Sequence, residues 1–409
     1  MIQSHFPESI SMAINKFIAG LSIEKIDKIA LLLIPFQILS SIIDFLYPKS
    51  DNYIICGSNT GEFFSGSPKA FYEYVSKHRP EYKIFHYYPF QKMNSKWEIT
   101  WYIVKFFPIF YKARYLVSDH PPNDFFPFVW WSRRKILINT WHGFGLKATF
   151  FADAGDTSNL NRILKLNEKT TYFLVSSKFE SAIKAKCFLI NPKKFLYIGQ
   201  PRNDRFLESN HETLLKKTFK NLPEYKKIVL YAPTYRRKNA VKFFPFEDFD
   251  IKKFKQFLED EKIIFLLRGH YYEKGSNTDF FGERIVNADH DVLEDVHDIL
   301  SDIDILITDY SSLYITYLLV NRPMIFAPYD LDDYDTNRGL ILDDYNYWTP
   351  GRKVYNYCEF IGAIQEILSG QDIFKTKREE LRGIFHYYQD GNTSEKILQV
   401  LNKLSPREK

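Results

Sequence analysis

A chain of 409 residues is more than one ordinary core holds, so two domains of roughly 200 residues each are expected. Its 45% hydrophobic and 26% charged residues exclude a disordered polymer, and a net charge of +5 without a basic run favours anionic small molecules or an acidic surface over nucleic acid. Three scattered cysteines, Cys56, Cys187 and Cys358, exclude a disulfide framework and a paired zinc motif and suit a reduced compartment.

The amino end has no basic region followed by an apolar stretch and a small-residue cleavage site, so no secretory leader is expected. Residues 1–50 are predicted to form an amphipathic, membrane-associating helical segment. Ile29 to Ile43 is uncharged and apolar, but it is too short to span a bilayer and is interrupted by Pro35 and Gln37. A helix simply packed on the fold fits the same pattern. The abundance of Phe and Tyr beside Lys and Arg in the first 150 positions also suits a membrane interface.

From Tyr53 the pattern becomes strand and helix in alternation. Strands are predicted at Tyr53–Ser58, Lys83–Tyr87, Tyr115–Ser118, Ile136–Trp141, Tyr172–Ser177 and Phe195–Gly199, with helices at Ala70–His78 and Trp97–Phe110. A charged, helix-compatible connection from Glu208 to Lys227 leads to a second series at Ile228–Ala232, Ile263–Leu267, Ile303–Ile307 and Met324–Ala327. An apolar helix is expected at Leu313–Val320, and the chain from Phe360 to Leu404 reads as mostly helical. The prediction is therefore α/β with two doubly wound parallel sheets: residues 51–207, residues 208–375, and carboxyl-terminal helices over 376–409 that pack back across the junction.

Polar residues collect where these strands end. His142 follows the apolar run Ile136–Trp141 and is flanked by Gly143 and Gly145. Taken alone it reads as a hydrogen-bonded core residue or a surface loop residue rather than as chemistry. The first half also ends in Gly199-Gln200-Pro201-Arg202-Asn203-Asp204, and the second half supplies Arg236, Arg268-Gly269-His270 and Thr308-Asp309-Tyr310-Ser311-Ser312. Serines opening a helix and arginines at neighbouring strand ends are what a phosphate needs: backbone N–H groups, hydroxyls and fixed positive charge.

These motifs, TWHGFGLK at 140–147, GQPRND at 199–204, YAPTYR at 231–236, RGH at 268–270 and ITDYSS at 307–312, resemble those of the CDP-glycerol glycerophosphotransferase family of teichoic acid synthesis, in order and spacing over residues 50–370. The resemblance implies a GT-B-like fold whose two domains face a cleft, and a peripheral or monotopic enzyme on the cytoplasmic face of the membrane. Such an enzyme moves a polyol phosphate from CDP-glycerol or CDP-ribitol to a hydroxyl of a lipid-linked acceptor and releases CMP. It implies His142 as general base and His270 as a second catalytic histidine that, with Arg236, Ser311 and Ser312, holds the donor diphosphate. Arg268 and Thr308 join that donor set, with Asp309 orienting the loop, while Lys147, Arg202 and Asp204 are candidates for the acceptor side. The acceptor domain would be 51–207 and the donor domain 208–375.

The chain departs from the family pattern in two places. Phe144-Gly145 stands where the family has Thr-Pro, and Arg352 replaces the second proline of a Pro-Gly-Pro segment. A histidine is suited to the chemistry, because an alcohol is a poor nucleophile near neutral pH and needs a base to take its proton. No HExxH-type metal spacing occurs, and the donor diphosphate leaves room for a loosely held Mg²⁺. Competing expectations are a capsule polymerase, a ribitol-phosphate transferase, a UDP-sugar glycosyltransferase and a non-catalytic membrane scaffold.

Overall fold

The computed structural model describes residues 34–89, 95–121, 123–125, 127–128, 131, 134–144, 146–153, 160–208, 214–234, 243–269 and 280–404. Two compact units result, one of residues 1–141, 169–172 and 399–409, the other of residues 142–168 and 173–398. Among the described residues, no helix is long and apolar enough to cross a membrane.

In the first unit, strands β1 (Ser50–Gly57), β2 (Lys83–Tyr87), β3 (Ala113–Ser118) and β4 (Ile136–Asn139) pair in parallel in the order β2-β1-β3-β4. Ile54 lies opposite Ile84 on one side and Tyr115 on the other, and Leu116 lies opposite Leu137. All four residues of β4 are buried, as a strand covered on both faces requires. The core here is aromatic: Phe110 stacks on Phe128 with centroids 4.5 Å apart, and Tyr87 packs on Phe106 at 4.7 Å. Helix Lys96–Lys112 supplies much of it and starts at a capping box, Ser95 accepting from the Glu98 N–H while Glu98 reaches back to the Ser95 N–H.

Only the end of the predicted amino-terminal segment lies within the described residues, as helix Ile34–Leu46. Its attachment is polar. The Asp44 carboxylate is fully buried between two ammonium groups, Lys49 Nζ at 2.9 Å and Lys135 Nζ at 3.0 Å, while Ser40 Oγ meets Tyr111 Oη at 2.8 Å. Lys49 also donates to the carbonyl of Tyr111. Burial holds Lys135 down to about 7, against the opposing pull of Asp44. With its polar residues turned inward, the helix leaves Leu39, Ile42, Phe45 and Leu46 exposed.

The second unit holds β5 (Tyr172–Val175) from Phe173 onward, beside β6 (Phe195–Tyr197), and a six-stranded parallel sheet. The sheet is made of β7 (Lys227–Tyr231), β8 (Ile263–Leu267), β9 (Ile285–Asn287), β10 (Ile305–Thr308), β11 (Met324–Phe326) and β12 (Arg352–Lys353), in the order β12-β11-β10-β7-β8-β9. Successive side chains of a strand point to opposite faces, so each strand feeds two cores. Leu230 and Leu306 enter one with Leu381 and Phe385 of helix Lys375–Phe385. Val229, Ile305 and Ile307 enter the other with Phe254 of helix Ile251–Asp260 and Phe360 of helix Tyr357–Leu368.

Both units are thus parallel-sheet α/β, as the alternation of strand and helix predicts. The apolar helix after β10 is shorter than expected, Leu313–Tyr317, and β9 and β12 are edge strands of three and two residues that the sequence does not announce. Replacing Asp44 by Asn leaves two lysines buried against each other without an anion, and is expected to cost about 3–5 kcal/mol of stability. Denaturant unfolding followed by far-UV circular dichroism checks this, and an unchanged midpoint with unchanged slope would refute it.

Candidate functional site

In the second unit the chain runs from β7 through β8 to β9 on one side, then returns to β10 on the other side of β7. Loops leaving the carboxyl ends of β7 and β10 therefore diverge and leave a crevice between them, the place where open α/β sheets bind ligands. A cavity of about 190 Å³ lies there, walled by Ala232 and Pro233 after β7, Arg268 and Gly269 after β8, and Ser311 and Ser312 after β10. His142, Arg202, His297 and Thr316 add to its polar lining.

The ends of β7 and β10 are bound together. Thr308 Oγ donates to the carbonyl of Ala232 at 2.7 Å, and Asp309 Oδ1 accepts from the N–H groups of Thr234 at 2.8 Å and Tyr310 at 2.6 Å. Thr308 and Asp309 thus act on the loop rather than on the cavity, whose lining they do not join. Ser311 Oγ accepts from the Leu313 N–H at 3.3 Å, while Ser312 has helical backbone angles and makes no capping bond. Its hydroxyl instead meets the His142 loop: a Cβ on Gly143 would stand 3.2 Å from Ser312 Oγ. Glycine at 143 lets that approach happen without displacing the serine.

His142 is exposed, and its carbonyl accepts from Arg202 Nη1 at 3.0 Å. Beyond Gly143 the chain is zipped onto residues 339–341, with Ile341 N–H donating to the Leu146 carbonyl at 2.7 Å and Ala148 N–H to that of Gly339 at 3.0 Å. Lys147 sits in the bridge so formed, opposite Leu340, and does not line the cavity. Phe144, one of the two departures from the expected Thr-Pro, packs 5.5 Å from Phe385 and edge-on to Phe179 at 6.4 Å. Phe144 thus anchors this loop by aromatic packing.

Several predicted site residues are committed elsewhere. Arg268 lines the cavity, but its Nη1 donates to the carbonyls of Ala288 and Leu293, both at 2.7 Å, and its Nη2 to that of Glu294. Its fork is spent on shaping the loop after β9. Asp204 is buried, with Oδ1 2.6 Å from Gln389 Nε2 and 2.7 Å from Thr393 Oγ, and lies outside the cavity lining. Burial raises its carboxyl to about 6. Arg236 and His270 lie outside the described residues.

Two groups were not legible as site features. His297 reaches the cavity with its Nδ1 2.6 Å from Asp295 Oδ1. In the first unit, ligand atoms of Asp119, His120 and Asp124 lie within 4.8 Å of one another. Asp119 there accepts from the Asn59 N–H, and Asp124 accepts from the Thr60, Asp119 and His120 N–H groups and from Ser118 Oγ. The carboxylates brace the loop after β1, and burial beside Asp119 lifts Asp124 to about 7.

Residues 39–403 match the model of the family described as CDP-glycerol:poly(glycerophosphate) glycerophosphotransferase. The chain belongs to that family. It is accordingly a phosphotransferase whose donor is a CDP-activated polyol, and the motif resemblance and the family match agree. A teichoic acid glycerol-phosphate transferase of Staphylococcus aureus is 29% identical over 90% of this chain and 96% of its own length. A teichoic acid poly(glycerol phosphate) polymerase of Bacillus subtilis is 29% identical over 87% of this chain, which spans about half (49%) of that relative's length. The solved structure of the wall teichoic acid polymerase TagF superposes with a TM-score of 0.72 at 22% identity, covering 94% of this chain and 98% of that one, and so shares its GT-B-like fold.

Beside the main cavity a smaller one, of about 30 Å³, shares Arg202 and Thr316 with it and is closed by Glu180, Phe385 and His386. His386 Nε2 lies 2.7 Å from the Ile315 carbonyl, and burial pulls its pKa down to about 4. The unfolded chain, with this histidine near its ordinary value of about 6.5, takes up the proton first as pH falls, so the folded state loses stability below that pH. Between pH 7 and pH 5 the loss from this group is expected to be about 2 kcal/mol. His386→Gln should flatten that part of a stability–pH curve; a slope equal to wild type would show that other groups carry it.

Proposed function

We propose that this chain transfers glycerol phosphate from CDP-glycerol to a hydroxyl of a lipid-linked acceptor in the synthesis of teichoic acid or a related surface polymer, at the cytoplasmic face of the membrane. The observation that carries this is the meeting of an exposed histidine, two serine hydroxyls and an arginine in one cavity at the β7/β10 crossover. The named activities of the relatives supply the substrate class.

In this mechanism His142 accepts the proton of the acceptor hydroxyl as its oxygen bonds to the phosphorus that carries glycerol. The bond from that phosphorus to the oxygen bridging to CMP breaks, and its electron pair leaves with CMP. Ser311, Ser312 and Arg202 face the phosphates and stabilise charge that grows on the leaving group. His270 and Arg236 join the donor side with residues 208–375, and Lys147 belongs with the acceptor half, residues 51–207. Asp309 holds the donor loop through its bonds to Thr234 and Tyr310, and Asp204, bonded to Gln389 and Thr393, fixes the turn that carries Arg202.

Purified protein supplied with CDP-glycerol and a lipid-linked acceptor should release CMP, with CDP-ribitol run in parallel to name the polyol. His142→Ala should lower that rate by about 10²–10⁴-fold while CMP still binds. Release of UDP from UDP-sugars with none from either CDP donor, or a wild-type rate in His142→Ala, would sink the assignment.

Surface features of the first unit support membrane association. Helix Ile34–Leu46 exposes Leu39 by 56%, Ile42 by 51% and Leu46 by 70%, and helix Lys96–Lys112 exposes Trp97 by 75% with Lys105 Nζ 5.4 Å from the Trp101 ring. Apolar side chains, indoles and lysines together suit the headgroup boundary. Changing Leu39, Ile42 and Leu46 to Asn should release the protein from sedimenting anionic liposomes; unchanged co-sedimentation would count against this helix as the anchor.

A further inference from the structure

The cavity is also walled by His297, which is paired with a carboxylate and which the mechanism above leaves unused. Asp295 precedes the single turn Val296–Asp298, and its Oδ1 both accepts from the His297 backbone N–H at 3.0 Å and lies 2.6 Å from His297 Nδ1. The carboxyl is held well below its usual range despite burial, by His297 and by the guanidinium groups of Arg202 and Arg205. An ionised carboxylate only accepts, so Nδ1 carries the proton and Nε2 is left with its lone pair. Burial and the nearby Arg202 keep the ring from taking a second proton, against the pull of Asp295.

That sets His297 apart from the hydrogen-bond donors of the wall. Arg202, Ser311 and Ser312 offer N–H or O–H donors suited to phosphate oxygens. A neutral imidazole nitrogen fixed as an acceptor repels a phosphate oxygen and matches a hydroxyl. A CDP-polyol carries hydroxyls in two places, on the ribose and on the polyol. Resting on the assignment of this cavity to the donor, we propose that His297 Nε2 accepts a hydrogen bond from a hydroxyl of the bound CDP-polyol, making His297 a positioning residue that sets how the donor lies and which hydroxyl pattern is taken. Asp295 acts through it by fixing the tautomer and the ring plane.

The test is calorimetric titration of the full chain with CDP-glycerol and with CMP, which has the ribose and lacks the polyol. His297→Phe keeps a ring without an acceptor, and His297→Gln restores an acceptor oxygen. His297→Phe should weaken CDP-glycerol about tenfold and His297→Gln should recover most of that loss. If the hydroxyl is on the ribose, CMP weakens equally in His297→Phe; if it is on the polyol, CMP binds as in wild type. Wild-type affinity for CDP-glycerol in His297→Phe, or no recovery in His297→Gln, overturns the proposal and leaves the donor site standing. Failure of the wild-type protein to bind either nucleotide overturns the donor site itself. Should His297→Phe not fold, His297→Asn, too short to place its oxygen at Nε2, takes its place with the same expectations.

Discussion

The hydrogen bonds that tie Thr308 and Asp309 to the chain leaving β7 decide where everything else in the site can stand. At a crossover two parallel strands stop pairing, and the backbone groups beyond them need new partners or pay for being buried alone, about 1–3 kcal/mol each. The Thr308 hydroxyl meets the Ala232 carbonyl, and one Asp309 oxygen collects the N–H groups of Thr234 and Tyr310. Tyr345 Oη then closes on the Asp309 carbonyl at 2.9 Å, and Tyr310 stacks on Tyr334 at 4.1 Å. With both loop roots fixed, Pro233 and the two serines line one crevice, and Gly143 lies close to Ser312.

The strands that build this frame were legible because buried parallel strands are written as continuous apolar runs: Ile263–Leu267 and Tyr172–Val175 need no context. Edge strands β9 and β12 escape the same reading because two or three residues carry no pattern. The motifs located the cavity through His142, Arg202, Arg268, Ser311 and Ser312. They could not say which way a side chain faces. Arg268 and Asp204 have the chemistry of ligand-binding groups and spend it on loop carbonyls and on the start of the carboxyl-terminal helix. His297 was hidden for the opposite reason. In Glu294-Asp295-Val296-His297-Asp298 an imidazole among acids reads as a solvated turn, and only folding buries the pair beside the cavity.

Arg202 is where these features become one system. Gly199, at φ +93°, lies so close to Gln389 and Thr393 that a Cβ there would stand 2.6 Å from Gln389 Oε1, and this tight turn delivers Arg202 to a fixed place. From there one Nη1 holds the backbone of His142, and the positive charge lowers the proton affinity of Asp295, His297 and His386. An acceptor must stay an acceptor, so a cation beside His297 suits the role proposed for that ring. A diphosphate entering the cavity brings the opposite charge and offsets the guanidinium.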